Sequence, residues 1–337
     1  MNSLLAWIKT KDKNNRAFRF FAVFGFLNFV TFLASSYLGE SFQSQGENKI
    51  DFLVFYRAWH YLLTDPALVY AQIPNAGPTC TNDFSWCTGY NYGNSFPFTL
   101  AFSPLSLLNA GAAGWIFRSV SFLSVVASAY LVYKMFSKSW KIASILAIII
   151  FFEPLPRFAF NPGDPFKYLD FLPPSVYIAN YWAGQSDAII LFLFTLSLYF
   201  LSKDKIFLSC LAYALSFVKP EPIVLLPVYA AIVTFHFKER RERHFALKAI
   251  RSLIYVAGLV LLLNVAIILY PPWLSGYISL IQYRDKASMA TDALTSLHEF
   301  VWLYPIPIIS FAYVWQSTKP IAKQKLQSLE YNYGPLG

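Results

Sequence analysis

Residues 18–38 read FRFFAVFGFLNFVTFLASSYL, and this stretch decides the class of fold. It carries a single charge, Arg19, beside its start, and is predominantly apolar from there on. About 20 such residues cross the hydrocarbon of a bilayer as a helix. The small residues Ala34, Ser35 and Ser36 near its end would also suit a cleaved signal peptide. The length of the run, and the further apolar runs behind it, favour an uncleaved signal-anchor.

The composition of the whole chain agrees. Of 337 residues, 56% are hydrophobic, 19% aromatic and 13% charged. Soluble domains carry about 25% charged residues. The net charge of +9 does not point to a nucleic-acid partner, because the basic residues sit in short clusters between apolar runs. Membrane proteins place them there.

Further apolar runs lie at 95–133, 141–153, 186–202, 206–218, 220–237, 251–270 and 299–317. The basic clusters lie at 9–16, 134–141, 203–205, 238–251 and 319–325. Putting all of them on the cytoplasmic side requires 95–133 to cross once. Pro97 and Pro104 break its first part, so 95–108 reads as a re-entrant or interfacial piece and 111–133 as the crossing. The expectation is an all-α polytopic membrane protein, one domain over 1–337, with about eight transmembrane helices. Its N-terminus is cytoplasmic, and 39–94, 154–185 and 271–298 face outward. Most of the unusual chemistry lies in those three segments, which points to work at the outer face of the cell membrane. No internal repeat favours a transporter built from inverted halves.

Within 39–94, Phe52, Phe55, Trp59 and Leu62 or Leu63 recur near helical spacing, with Arg57, His60 and Thr64 elsewhere. This predicts a short amphipathic helix in the interface, opened by Asp51. Asp51 is a natural N-cap, and one oxygen could cap while the other faces a substrate. Cys80 and Cys87 share an outward loop, where a disulfide is favoured over two free thiols, whereas Cys210 lies in an apolar run as a small core residue. Gly184-Gln185-Ser186-Asp187 opens a span and offers close approach and hydrogen bonding to a polar ligand, or else a helix cap. Lys219-Pro220-Glu221-Pro222 puts a cation at the outer boundary, against the positive-inside trend. Ionisable groups at such depth are candidates for function; the alternatives are a snorkelling lysine or one paired with Glu221. His298 could move a proton, although a lone interfacial histidine is the commoner case. No Walker or Rossmann glycine loop, His-Glu-x-x-His, Gly-x-Ser-x-Gly or Asp-x-Asp occurs, so a cytoplasmic nucleotide-dependent enzyme is not expected.

Four of these elements, taken in order, resemble glycosyltransferase family 87. Asp51-Phe52-Leu53-Val54-Phe55-Tyr56-Arg57-Ala58, with Leu63 and Tyr70 downstream, is similar to that family's first outer-loop motif. Phe96-Pro97-Phe98 with Ser103-Pro104-Leu105 resembles its Tyr-Pro-Pro…Pro-Leu element. Gly184-Gln185-Ser186-Asp187 resembles its Gly-Gln-x-Asn, and Lys219-Pro220 its Lys-Pro. The likeness covers about residues 20–240, with Asp187 in place of Asn and Phe98 in place of the second proline. The resemblance implies a C-type, polyprenyl-phosphate-dependent mannosyltransferase acting at the outer face with inversion. It implies a polyprenyl-phosphate sugar donor, a glycan or glycolipid acceptor, and Asp51 as general base. Lys219, then Arg57, are the expected donor-phosphate cations, with Gln185 beside them. Asp187, His60, Glu221 and His298 are the further substrate-binding candidates. Neither a cofactor nor a metal is expected, since a monophosphate leaving group beside Lys or Arg does not demand one. Two other readings compete: a lipid-linked sugar flippase, which would need a polar path through the bilayer, and a non-catalytic subunit of a glycan-assembly complex.

Overall fold

The computed structural model describes residues 13–44, 51–71, 92–136, 144, 181, 184, 186–219, 221–240, 242–279 and 309; the side chains at 13–17, 38–44, 51, 221 and 224 are outside that description. The described residues form helices joined by turns, with no strand among them. In chain order the α-helices are α1 (Lys13–Ser44), α2 (Asp51–Thr64), α3 (Phe96–Phe102), α4 (Ala110–Met135), α5 (Asp187–Ser202), α6 (Ile206–Ser216), α7 (Leu226–Glu239), α8 (Phe245–Leu263) and α9 (Val265–Leu269). A tenth, α10, covers 271–279.

Among the described residues, three helices are long and apolar enough to cross a membrane: Phe18–Tyr37 within α1, all of α4, and α8. On α1, Phe24, Asn28, Phe32 and Ser35 are buried at helical spacing, while Val23, Phe26 and Val30 are exposed on the opposite side. On α8, Leu247, Ile254 and Leu261 are exposed in the same way. Such rows would be uncovered apolar surface in water, and hydrocarbon covers them. The chain is thus an all-α membrane protein.

The helices pack in the order α1 on α4, α4 on α5, α5 on α6, α6 on α8 and α8 on α7. Phe32, Val125, Phe194, Tyr213, Tyr229 and Val256 fill the interior between them. Polar contacts tie the helices as well. Ser197 Oγ donates to the Ser209 carbonyl at 2.9 Å, Ser209 Oγ lies 2.9 Å from Tyr229 OH, and Tyr181 OH donates to Asn28 Oδ1 at 2.8 Å. Each such bond between membrane helices is worth about 1 kcal/mol or less.

The sequence places most elements correctly and several boundaries wrongly. The run 95–133 divides as expected. Pro97 and Pro104 fall in the first turns of α3 and of a 3-10 turn at Ser103–Leu107, where the missing N–H costs nothing. Asn109 then caps α4 by accepting the Ala112 N–H at 2.8 Å. Residues 220–237 are a 3-10 turn at Glu221–Leu225 followed by α7, because Pro222 and Pro227 each sit at a helix start. Helix α8 begins inside the basic run and breaks at Asn264. Helix α1 continues to Ser44, and the expected outer loop 271–298 is helical over 271–279, its paired prolines forming a first turn. Three of the candidate spans lie among the described residues. Of the expected spans 141–153 and 299–317, only residues 144 and 309 are described, and both are helical. At 16 and 11 residues, α5 and α6 are about 24 and 16 Å long, short of a bilayer core of about 30 Å.

Among the described residues, Lys134, Lys203 and Arg240, which close α4, α5 and α7, lie at one end of the bundle. Asp204, in the left-handed conformation that short polar residues tolerate, turns the chain between α5 and α6. It accepts from Arg240 at 2.6 Å and contacts His236 at 3.1 Å on α7. Lys203 lies over the Tyr199 ring, and Lys134 over the Tyr130 ring.

Candidate active site at the start of α2

At the other end, α2 is a helix as its spacing predicts, but it is enclosed by protein. Phe52, Ala58 and Trp59 are fully buried, packed with Phe98, Phe117 and Ile190 from α3, α4 and α5. Trp59 stacks on Phe102 and meets Phe117. Tyr56 OH donates to the Leu108 carbonyl at 2.6 Å, fixing α2 to the turn before α4. Arg57 departs from the sequence expectation. It is buried rather than on the polar face, because its side chain folds back along Tyr61, with Nε 3.0 Å from the hydroxyl and the guanidinium 5.3 Å over the ring. His60 is exposed.

Phe52 is where separated segments join. Gly184 has φ +69°, which favours glycine, and a Cβ there would come 2.6 Å from Phe52 Cβ. The backbone before α5 therefore lies directly against the first turn of α2, of which Asp51 is the first residue. Two further contacts bring in the remaining motifs. The Ser95 N–H donates to the Val218 carbonyl at 2.7 Å, joining the start of α3 to the residue before Lys219. Lys219 Nζ lies 3.5 Å from Asp187 Oδ1 at the start of α5, with both side chains mostly buried. The sequence offered snorkelling or Glu221 for this lysine; the described carboxylate beside it is Asp187. Asn264, at the break between α8 and α9, accepts the Phe96 N–H at 3.0 Å and so braces α3 from behind.

A second aromatic layer closes this end. Tyr70 OH donates to the Asn94 carbonyl at 2.9 Å, and Tyr92 OH lies 2.7 Å from Thr99 Oγ1. Burial pushes both phenols above the ordinary tyrosine range, so they remain protonated. Helix α10 lies over them: Trp273 Nε1 donates to the Pro66 carbonyl at 2.5 Å, and a Cβ on Gly276 would come 2.0 Å from the Tyr70 carbonyl oxygen.

Lys219 and Asp187 are thus brought together, and Asp51 begins the helix that touches Gly184. Gln185, His298, Cys80 and Cys87 lie outside the described residues, as do the side chains of Asp51 and Glu221. Arg118 was missed. It is fully buried on α4, its guanidinium 5.7 Å over the Phe52 ring and its Nη1 2.9 Å from where a Gly114 Cβ would stand. The signal was present, since Arg118 is the only charged residue between positions 110 and 133. Among the described residues no three His, Cys, Asp or Glu come together as metal ligands.

Chemically, this end offers a lysine and the N-terminus of a 16-residue helix side by side, a pairing that favours anions. No protein-family model, no curated protein and no solved structure matches the chain.

Proposed function

We propose that the chain is a membrane hexosyltransferase that moves a sugar, with mannose the first choice, from a polyprenyl-phosphate carrier to an acceptor hydroxyl at the outer membrane face, with inversion. The observation that carries the reading is the juxtaposition of four segments far apart in sequence. Asp51-Phe52 meets Gly184, Ser95 bonds Val218, and Lys219 meets Asp187. These are the segments whose order resembles glycosyltransferase family 87. Fold alone would not require those four to share one end of the bundle.

In this mechanism the acceptor oxygen attacks the anomeric carbon from the face opposite the phosphate. The bond from that carbon to the phosphate oxygen breaks, and its electron pair leaves with the lipid phosphate. Asp51 takes the hydroxyl proton as the new bond forms, a contribution of roughly 10²–10⁴-fold. Lys219 holds the phosphate as its charge grows, which lowers the barrier because the cation is already in place.

The experiment is mass spectrometry of lipid-linked and cell-envelope glycans with and without the gene, followed by transfer from polyprenyl-phosphate mannose by the purified chain. A missing hexose in cells and turnover in vitro support the reading. Lipid binding without turnover favours the non-catalytic subunit, and sugar flipping that survives Asp51→Asn favours the flippase. Lys219→Ala should weaken donor use more than Lys219→Arg, which keeps the charge at altered geometry.

A further inference from the structure

We infer that Asp187 is a built-in stand-in for the lipid phosphate: its carboxylate sits against Lys219, and the donor headgroup displaces it. This rests on the reading of Lys219 as the headgroup cation and adds what that reading lacks, the resident competitor.

Three observations meet at one point. Lys219 Nζ sits 3.5 Å from Asp187 Oδ1, with 19% and 15% of the two side chains exposed. Asp187 is the first residue of α5, so its charge also faces the positive end of that helix. Beside it, Ser186 is fully buried and its Oγ has no hydrogen-bond partner, although it precedes the helix where a serine ordinarily caps. Buried hydroxyls are normally bonded, so one left open at the start of α5, one residue before the aspartate that meets Lys219, marks a place for a further acceptor. Asp187 satisfies the charge of the site while leaving this hydroxyl unused. A phosphate has more oxygens than a carboxylate and could take the Ser186 hydroxyl together with the Lys219 ammonium.

The geometry also gives the pair its exchangeability. At 3.5 Å it is longer than a close charge-assisted hydrogen bond of about 2.7–2.9 Å, so this contact leaves the ammonium able to turn to a nearer anion. Two anions cannot share one lysine cheaply, so headgroup binding and the Asp187–Lys219 contact exclude one another. The ligand class is therefore a phosphomonoester or phosphodiester headgroup, and Asp187 sets how strongly such a group must bind in order to enter.

The test measures binding of dodecyl phosphate and of inorganic phosphate to the purified full chain in neutral detergent, with dodecanol as the uncharged control. Asp187→Asn should tighten dodecyl phosphate by about tenfold, the scale of 1.4 kcal/mol, and leave dodecanol unchanged. Ser186→Ala should weaken dodecyl phosphate several-fold. A gain for dodecyl phosphate alone assigns the site to lipid headgroups, and equal gains for both anions assign it to phosphate whatever its carrier. Unchanged or weaker binding in Asp187→Asn overturns the inference and makes Asp187 an orienting partner of Lys219. If Lys219→Ala leaves dodecyl phosphate binding intact, the parent reading of Lys219 falls as well. Should Asp187→Asn not fold, Asp187→Ser removes the same charge and is read by the same criteria.

Discussion

Two residues at the start of α2 and α5 allow sharp tests. Asp51 is the first residue of α2, so it could be a helix cap, a general base, or both. Asn caps about as well as Asp, whereas losing the cap to Ala costs about 1 kcal/mol. An amide cannot accept the proton at neutral pH. Asp51→Asn should therefore express and bind donor yet lose most transfer, by about 10²-fold or more, with kcat affected more than KM. Turnover close to wild type would remove Asp51 as base. Gly184 tests the juxtaposition itself. A side chain there costs roughly 1–2 kcal/mol in the left-handed conformation, and its Cβ would stand 2.6 Å from Phe52 Cβ. Gly184→Ala should push α2 away from α5 and cost transfer activity at unchanged expression. Equal kinetics in the two proteins would show that the contact has no part in the chemistry.

At the scale of elements, close backbone contact fixes what the sequence could not. The residues of α10 were expected to belong to the outer segment 271–298, and the paired prolines Pro271-Pro272 leave open whether a chain breaks or begins a helix there. Pro at a first turn starts a helix as readily as it stops one, and only the docking on Tyr70 and Pro66 decides between them. Gly276→Ala would place a methyl group 2.0 Å from the Tyr70 carbonyl, so α10 must move. The expected cost is about 1–3 kcal/mol, read as a lower thermal midpoint in detergent and faster proteolysis after residue 279. Three of the four segments carry a residue that fixes the local backbone, Pro97 and Pro104, Gly184, and Pro220, whereas Asp51–Ala58 is marked by its helical spacing. Arg57 was misplaced because helical spacing gives the direction of Cβ, and a long side chain can fold back along its own helix. Arg118 was overlooked because one cation inside an apolar run was read as part of the run. Removing it tests that oversight. Arg118→Ala empties the space over Phe52 and loses a desolvated cation–aromatic contact of about 2 kcal/mol, so α2 should loosen even though the span remains apolar.

The whole molecule has two unlike ends, and that difference predicts its orientation. One end carries Lys134 over Tyr130, Lys203 over Tyr199, and Asp204 paired with His236 and Arg240. The other carries the start of α2, the Gly184 turn, Lys219 and α10. Short loops rich in Lys and Arg stay on the cytoplasmic side, so the first end should be inside and the start of α2 outside. The chain has three cysteines, which can be replaced by serine to give a background without reactive thiols. In that background Asn75→Cys and Pro165→Cys should react with an impermeant maleimide on intact cells. Arg241→Cys, within the basic run before α8, should react only after permeabilisation. Two features of the fold make this a test of function as well as of topology. The basic end is the one that the positive-inside trend assigns to the cytoplasm, and the starts of α2 and α5 with Lys219 lie at the opposite end. A reversed labelling pattern would put Asp51 and Lys219 on the cytoplasmic side. An outward-facing polyprenyl-phosphate donor could not then reach them, and the assignment of both residues would fail together with the topology.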